Sequence, residues 1–313
     1  MRFDPAQLET LVAITEEGSF EGAARRLHLT PSAVSQRVRA LERAAGQVLV
    51  RRTAPAAATT AGEPLVRLGR QLRLLLAEAA AELPAADLPE TDPAAGDAAV
   101  ELSVAVNADS LATWFRPVLD AAASWPRTAL RLAVEDQAYS HDLLRRGDVL
   151  AAVTSEPQPV QGCVVEELGR LRYTPSATPE LVARHARGRG VDWSTLPMVV
   201  FNEKDHLQDD VLGAHGAGRP AVVHRVPSTA DFHEAVRRGL GWGMLLDPQV
   251  DADSATGRTV PLPGGRPVDV PLFWQRWRVD SAALTRLTEA VRRAAAAALR
   301  RPQRSSQGRR SGS

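Results

Sequence analysis

Residues 18–53, "GSFEGAARRLHLTPSAVSQRVRALERAAGQVLVRRT", decide how the rest of the chain is read. Ser19 is a good helix N-cap ahead of the run "FEGAARRLHL", which turns Ala23, Ala24 and Leu27 inward. Thr30 and Pro31 then start a second helix, "PSAVSQRVRALERAAG", with a capping hydroxyl and a proline at the first helical position. Its apolar residues Val34, Val38 and Leu41 recur at a spacing of four and three, and Gly46 is its stop. The small alanines let the two helices cross closely, and "LHLT" between them supplies an apolar plug and the next cap. Two short helices joined so tightly predict a helix-turn-helix, in which the second helix enters the major groove with its N-terminal residues leading.

Upstream, Asp4 and Pro5 start a helix that carries Leu8, Leu11, Val12 and Ile14 on one face until Gly18 ends it. Downstream, "VLVRRT" (48–53) is strand-like and "APAAA" (54–58) reads as a turn or tip, so a wing is expected. "TTAGE" (59–63) opens a long helix, with Thr60 and Glu63 at capping-box spacing. Along it Leu65, Leu68, Leu72, Leu75 and Ala79 step three and four apart, an a/d seam. A helix of this length beside a head already filled by its own three helices is expected to pair with a second chain, through 60–83.

The leading face of the second helix presents Ser32, Ser35, Gln36 and Arg39, with Thr30, Pro31 and Arg37 beside them as further DNA-binding candidates. Hydroxyls suit phosphate oxygens, Gln suits adenine edges and Arg suits guanine. Arg51 and Arg52, in the strand before the tip, are placed to reach the backbone or minor groove. Ten arginines stand against two acids between Arg25 and Arg73, a local +8 in a chain whose net charge is +1. That concentration is an electrostatic footprint for a polyanion, which bulk charge alone would hide.

The same stretch resembles the N-terminal signature of LysR-type transcriptional regulators: the G-S-F entry, paired alanines, S-A-V-S-Q, L-E, the glycine and the wing strand. The resemblance implies a winged helix-turn-helix, a long dimerisation helix and a C-terminal two-lobed α/β effector domain like periplasmic binding proteins. The expected organisation is a winged helix-turn-helix DNA-binding domain over 1–58, a linker and dimerisation helix over 59–83 and a hinge linker over 84–99. The first effector lobe is expected over 100–164 and 268–300, the second over 165–267, and a disordered basic tail over 301–313.

Beyond the proline-rich 83–97, strands alternate with helices. "ELSVAV", "ALRLAVED", "VLAAV", "PMVVF", "AVVHRV", "GMLLD" and "DVPLFWQRW" read as strands, with helices over 110–123, 139–146, 229–238 and 281–299. This order predicts a mostly parallel sheet, whose ligands sit beyond the carboxyl ends of the strands. Four polar clusters fall there: Asn107, Asp109 and Ser110; Glu135, Asp136 and Gln137; "FNEKD" (201–205); and Ser228 with Thr229. Helix-start N–H groups with the hydroxyls of Ser110, Ser228 and Thr229 suit the carboxylate of a free amino acid. A cationic side chain requires an acid, and Asp136 is best placed, with Glu135, Glu203 and Asp205 also available. Singly each of these residues could be a cap or turn residue, Asp109 and Ser110 above all.

"AVNADSLATWF", "VEDQ", "LRRGDVLAAV", "VVFN" with Lys204 and Asp205, and "PLFWQRW" resemble the ArgP/LysG branch of the family. The resemblance implies sensing of lysine, arginine and sometimes histidine, and activation of a basic amino-acid exporter gene. Carried over by position it supports Ser110, Asp136, Asp205 and Ser228 as effector residues, joined by Asn107, Asn202 and Thr229 at the same strand ends. The expected partners are double-stranded promoter DNA, a basic amino acid, further copies of the chain as dimer and tetramer, and RNA polymerase. A regulator for another small effector, such as an aromatic acid, is the alternative; an arginine-lined, acid-poor cleft would favour it.

Of 313 residues, 44% are hydrophobic, as in an ordinary globular protein. Lys204 is the only lysine, a bias that goes with alanine richness and a high-GC genome. The single Cys163 leaves no intramolecular disulfide and no cysteine-cluster metal site. No apolar run approaches the ~18 residues of a membrane span, so the expected location is the cytoplasm, with no membrane partner. No nucleophile elbow, phosphate loop or clustered metal ligands occur, and the histidines are scattered, so neither enzyme nor cofactor is expected.

Overall fold

The computed structural model describes residues 3–82, 99–135 and 137–301. Asp4 accepts a hydrogen bond from Ala6 N at 2.7 Å and starts α1 (Pro5–Glu17), which Gly18 ends in a left-handed conformation. Ser19 caps α2 (Phe20–Arg26) and Thr30 caps α3 (Pro31–Ala45), with Gly46 left-handed after it. A short wing follows, β1 (Val50–Arg51) antiparallel to β2 (Ala57–Ala58). Leu11, Val12, Ile14, Val34, Val38 and Leu41 are fully buried between the three helices, each contributing about 1.5–3 kcal/mol.

The head departs from expectation in its turns. The first helix of the pair ends at Arg26, because His28 takes a positive φ and Leu29 N bonds back to Ala24 O at 2.9 Å. "APAAA" is not all tip: Ala56 is buried and Ala57 and Ala58 form the second wing strand. The cap before α4 (Glu63–Glu82) is Thr59 rather than Thr60, since Thr59 Oγ1 accepts from Gly62 N at 3.1 Å. The expected seam divides. Leu65 and Leu72 pack against the core of the head, whereas Leu68, Leu75 and Leu76 stay 40%, 39% and 57% exposed.

The chain continues through β3 (Val100–Val106), α5 (Ala108–Ala112), α6 (Arg116–Ala122), β4 (Thr128–Val134), α7 (Gln137–Arg146) and β5 (Ala151–Thr154). Then come β6 (Cys163–Ala177), α8 (Pro179–Arg184), β7 (Ala186–Arg187), β8 (Gly190–Val191), β9 (Met198–Val200) and α9 (Leu207–Ala214). The last elements are β10 (Val223–Arg225), α10 (Thr229–Arg237), β11 (Gly243–Leu246), α11 (Asp247–Ser254), β12 (Val260–Pro261), β13 (Val268–Trp277) and α12 (Ala282–Ala298).

The molecule divides into two compact units. One takes Met1–Val106, Val118–Glu166 and Trp274–Val291, so head, α4 and the first lobe belong together; the other takes Asn107–Pro117, Glu167–Phe273 and Arg292–Ser313. Asn107–Pro117 thus falls in the same compact unit as Glu167–Phe273. In the first unit β3 lies parallel to both β4 and β5, with Val104 opposite Leu132 on one side and Ala151 on the other. In the second, β11 and β12 are antiparallel to β6, while β9 and β10 are a parallel pair.

The sheet is thus mixed rather than mostly parallel, because the fifteen-residue β6, absent from the sequence reading, returns between helices as an antiparallel partner. The helix expected over 110–123 is two: the backbone leaves helical geometry at Thr113 (φ −120°, ψ −97°), Trp114 and Phe115 turn into the core, and Pro117 stands in the first turn of α6, where a missing N–H leaves no bond unmade. Residues 83–98 and 302–313, with the expected hinge and tail, and Asp136 lie outside the described residues.

Candidate functional site

On α3, Ser32, Gln36, Arg39 and Arg43 are exposed at successive steps of four, three and four, so one polar stripe faces outward from the N-terminal turn. Ser35 and Arg37 are half-buried on its flanks. The Thr30 hydroxyl oxygen accepts from Ala33 N at 3.2 Å, and Pro31 is exposed at the first turn. Glu42 accepts from Leu49 N at 3.0 Å and fixes the wing to the end of α3. In the wing, Arg51 is exposed, whereas the Arg52 guanidinium sits 4.9 Å from the centre of the Phe20 ring. The two wing arginines therefore differ: one is held on an aromatic face, the other projects.

A second constellation forms in the unit that contains 107–117. β3 delivers the chain to Asn107, whose Oδ1 accepts from Ser110 N at 2.8 Å and caps the five-residue α5. Asn107 and Ser110 are buried, and among the described residues Asn107 Nδ2 and Ser110 Oγ have no hydrogen-bond partner. Asp109 lies between them in sequence. Its two carboxylate oxygens are taken by different elements: Tyr173 OH donates from β6 at 2.8 Å and Thr229 Oγ1 from the start of α10 at 2.8 Å.

Burial pushes the Asp109 carboxyl above the ordinary aspartate range; the Thr229 and Tyr173 hydroxyls partly offset this, and the nearby Asp205 charge adds to it. Burial and the Asp109 and Asp205 charges likewise push the Tyr173 phenol well up. No cation neutralises Asp109 in these contacts; both donors are neutral hydroxyls. An unpaired carboxylate beside unpartnered amide and hydroxyl groups is a combination buried protein avoids unless a ligand completes it.

The remaining sequence candidates have structural occupations. Asp205 accepts from Phe201 N at 2.9 Å and Leu207 N at 3.3 Å, closing the turn before α9. Asn202 Oδ1 accepts from Lys204 N at 2.8 Å within that turn, and Ser228 caps α10 through Asp231 N at 3.4 Å. Thr229 is brought to Asp109 rather than left to offer its hydroxyl alone. α5 is too short to bring much of a helix dipole, so at that end the polar side chains carry the recognition. Tyr173 and the role of Asp109 were missed. Alternation of Leu171, Tyr173 and Pro175 in "LRYTPSA" was the available signal for a strand, but nothing local pairs Tyr173 with a residue 64 positions earlier.

A winged helix-turn-helix with a charged leading stripe, a long helix after it and an α/β domain holding an unsatisfied polar cluster define a class: ligand-responsive DNA-binding regulators. The chain matches the family "Bacterial regulatory helix-turn-helix protein, lysR family" over residues 5–63 and the "LysR substrate binding domain" over residues 95–296. The chain belongs to the LysR family of transcription regulators, DNA-binding proteins rather than enzymes, with a winged helix-turn-helix and a two-lobed α/β effector domain.

It is 47% identical over 304 residues to the lysine export transcriptional regulatory protein LysG of Corynebacterium glutamicum, covering 95% of this chain and 99% of that one. The structure of full-length C. glutamicum LysG with bound effector Arg is similar at a TM-score of 0.81 and 47% identity, over 95% of this chain and 99% of that one. ArgP from Mycobacterium tuberculosis is similar at a TM-score of 0.83 and 43% identity, over 96% and 100%. Among the described residues no helix is long and apolar enough to cross a membrane.

Proposed function

We propose that this regulator senses a basic amino acid, L-arginine or L-lysine, at the Asp109 constellation and activates transcription of a gene for basic amino-acid export, in the cytoplasm. The observation that carries it is the uncompensated Asp109 carboxylate between Tyr173 and Thr229, next to the unpartnered Asn107 Nδ2 and Ser110 Oγ. An α-amino acid complements that set: its ammonium answers Asp109, while its carboxylate accepts from Asn107 Nδ2 and Ser110 Oγ. Asp136 keeps the sequence-based assignment to the side-chain cation; Asp205, Asn202 and Ser228 shape the surroundings. The C. glutamicum relative, named for lysine export and with a structure holding bound effector Arg, supports the same ligand class.

The exposed leucines of α4 support pairing with a second copy through 60–83, with a tetramer as the further state and RNA polymerase as the partner of the activator. The α3 stripe with Thr30, Pro31, Ser32, Ser35, Gln36, Arg37 and Arg39, and wing residues Arg51 and Arg52, is the proposed promoter-DNA surface. Isothermal calorimetry on the full chain with L-arginine, L-lysine, L-histidine and L-leucine tests the effector class. Preference for the basic ligands is expected, and equal or absent binding of all four would overturn it.

A further inference from the structure

The helix α4 has three faces, and one of them is committed to the effector lobe of its own chain. Glu63, Arg67, Arg70, Leu74 and Glu78 fall on one stripe, within a third of a turn of each other over about four turns. Arg145 Nη1 donates to Glu63 Oε2 at 3.0 Å, from the last turn of α7. Arg70 Nη1 donates to Asp148 Oδ1 at 2.9 Å, just past the same helix. Glu78 Oε1 accepts from Ser281 Oγ at 2.7 Å and Ala283 N at 2.8 Å, capping α12.

The backbone is shaped for this approach. Gly147 has φ +76, and a Cβ there would stand 3.1 Å from Arg67 Cα and 3.2 Å from the Trp277 ring. The adjacent face of α4 grips the head: a Cβ on Gly69 would meet Val12 Cγ2 at 2.7 Å, and Arg73 pairs with Glu9 and Glu16. Arg70, only 12% exposed, belongs to both faces, because its Nε also donates to Glu16 Oε1 at 3.1 Å.

We infer that the Glu63–Arg145, Arg70–Asp148 and Glu78–α12 contacts form a latch that fixes the DNA-binding head to the effector lobe. The ten-residue α7 is its lever. It starts just after the carboxyl end of β4, beside the β3 end that leads to Asn107, and its last turn carries Arg145 and Arg146, the latter bonded to Asp148 at 2.9 Å. A shift of α7 on ligand binding displaces the latch residues and so moves α4 with the head. The latch stands on these contacts alone; the coupling half rests on the effector reading above.

Hydrogen–deuterium exchange on the full chain tests both. Without ligand, Asp148→Arg and Glu63→Arg are each expected to speed amide exchange across residues 63–78 on the order of tenfold. The charge exchange Glu63→Arg/Arg145→Glu is expected to restore protection. Unchanged protection in the single variants, or no restoration in the double one, overturns the latch. If Asp148→Arg loses cooperative unfolding, the Glu63→Arg pair decides alone. With L-arginine, wild type is expected to change exchange in α4 and α7. Asp148→Arg is expected to lose the α4 change while calorimetry still finds L-arginine bound, and an α4 change that persists overturns the coupling. Failure of wild type to bind L-arginine in calorimetry falls on the effector reading, and the ligand-free comparison still decides the latch.

Discussion

Glu16 and Asp109 are carboxylates withdrawn from solvent whose surroundings drive them in opposite directions. Burial pushes Glu16 up, yet Arg73, Arg70 and Arg26 together hold it below the ordinary glutamate range. Among the described residues Asp109 meets only two hydroxyls and the repulsion of Asp205, and burial leaves it raised. The first carboxylate has its cations within the chain and holds α1, α2 and α4 together. The second lacks one among the described residues, and a charge held ready in that way is what a cationic ligand would complete. Charge satisfaction, more than burial, separates the structural acid from the acid proposed to meet the ligand.

Removing the Asp109 charge is the sharpest way to break the comparison. Asp109→Asn keeps the shape and is expected to weaken L-arginine binding about a hundredfold in calorimetry, the effect of about 3 kcal/mol from losing a desolvated charge partner. L-Leucine binding, which shares the α-amino group, would fall in parallel; a loss confined to L-arginine would move Asp109 to the side-chain cation and release Asp136.

Glu16→Ala is expected to cost about 2 kcal/mol, less than a fully buried pair because its arginines are partly solvated. The urea midpoint should fall with an unchanged slope, and L-arginine affinity should hold.

Acid and alkali should then act on the two carboxylates with opposite signs. The lowered Glu16 contributes stability that is present above the unfolded glutamate pKa and lost as pH falls through its folded value. The raised Asp109 contributes stability below the unfolded aspartate pKa that is lost as pH rises through its folded value. Melting curves from pH 3 to 7 should show Glu16→Ala losing the acid-side dependence and Asp109→Asn gaining stability at neutral pH.

The smallest expected effect lies in the wing. Arg51→Ala should lower the salt dependence of binding to random-sequence duplex by about 0.9 in log–log slope, the share of one phosphate contact. Arg52→Ala should lower it less, since its guanidinium rests on Phe20.

The head was legible because its signals are local. Asp4, Ser19 and Thr30 cap helices two or three residues ahead, Gly18 and Gly46 end them, and Val34, Val38 and Leu41 mark one face. Reading failed where two local choices were nearly equivalent, as with Thr59 against Thr60, or where core packing broke an apolar run, as at Trp114 and Phe115. The proposed effector site was legible only as a set of strand ends. Asn107 proved to be a buried cap that keeps a free Nδ2, and Ser110 a buried residue with a free Oγ among the described residues, whereas Ser228, Asn202 and Asp205 proved to be turn or cap residues.

By itself, the sequence determined the helix-turn-helix, the charged stripe of α3, the long helix after the wing and the α/β texture beyond, because caps and periodicity act over a few residues. Only the tertiary structure decided that Tyr173 and Thr229, 64 and 120 positions from Asp109, share its carboxylate. It also decided that α4 turns one face to the head and another to α7 and α12. Both depend on which distant elements pack together, and neither leaves a period or a spacing along the chain.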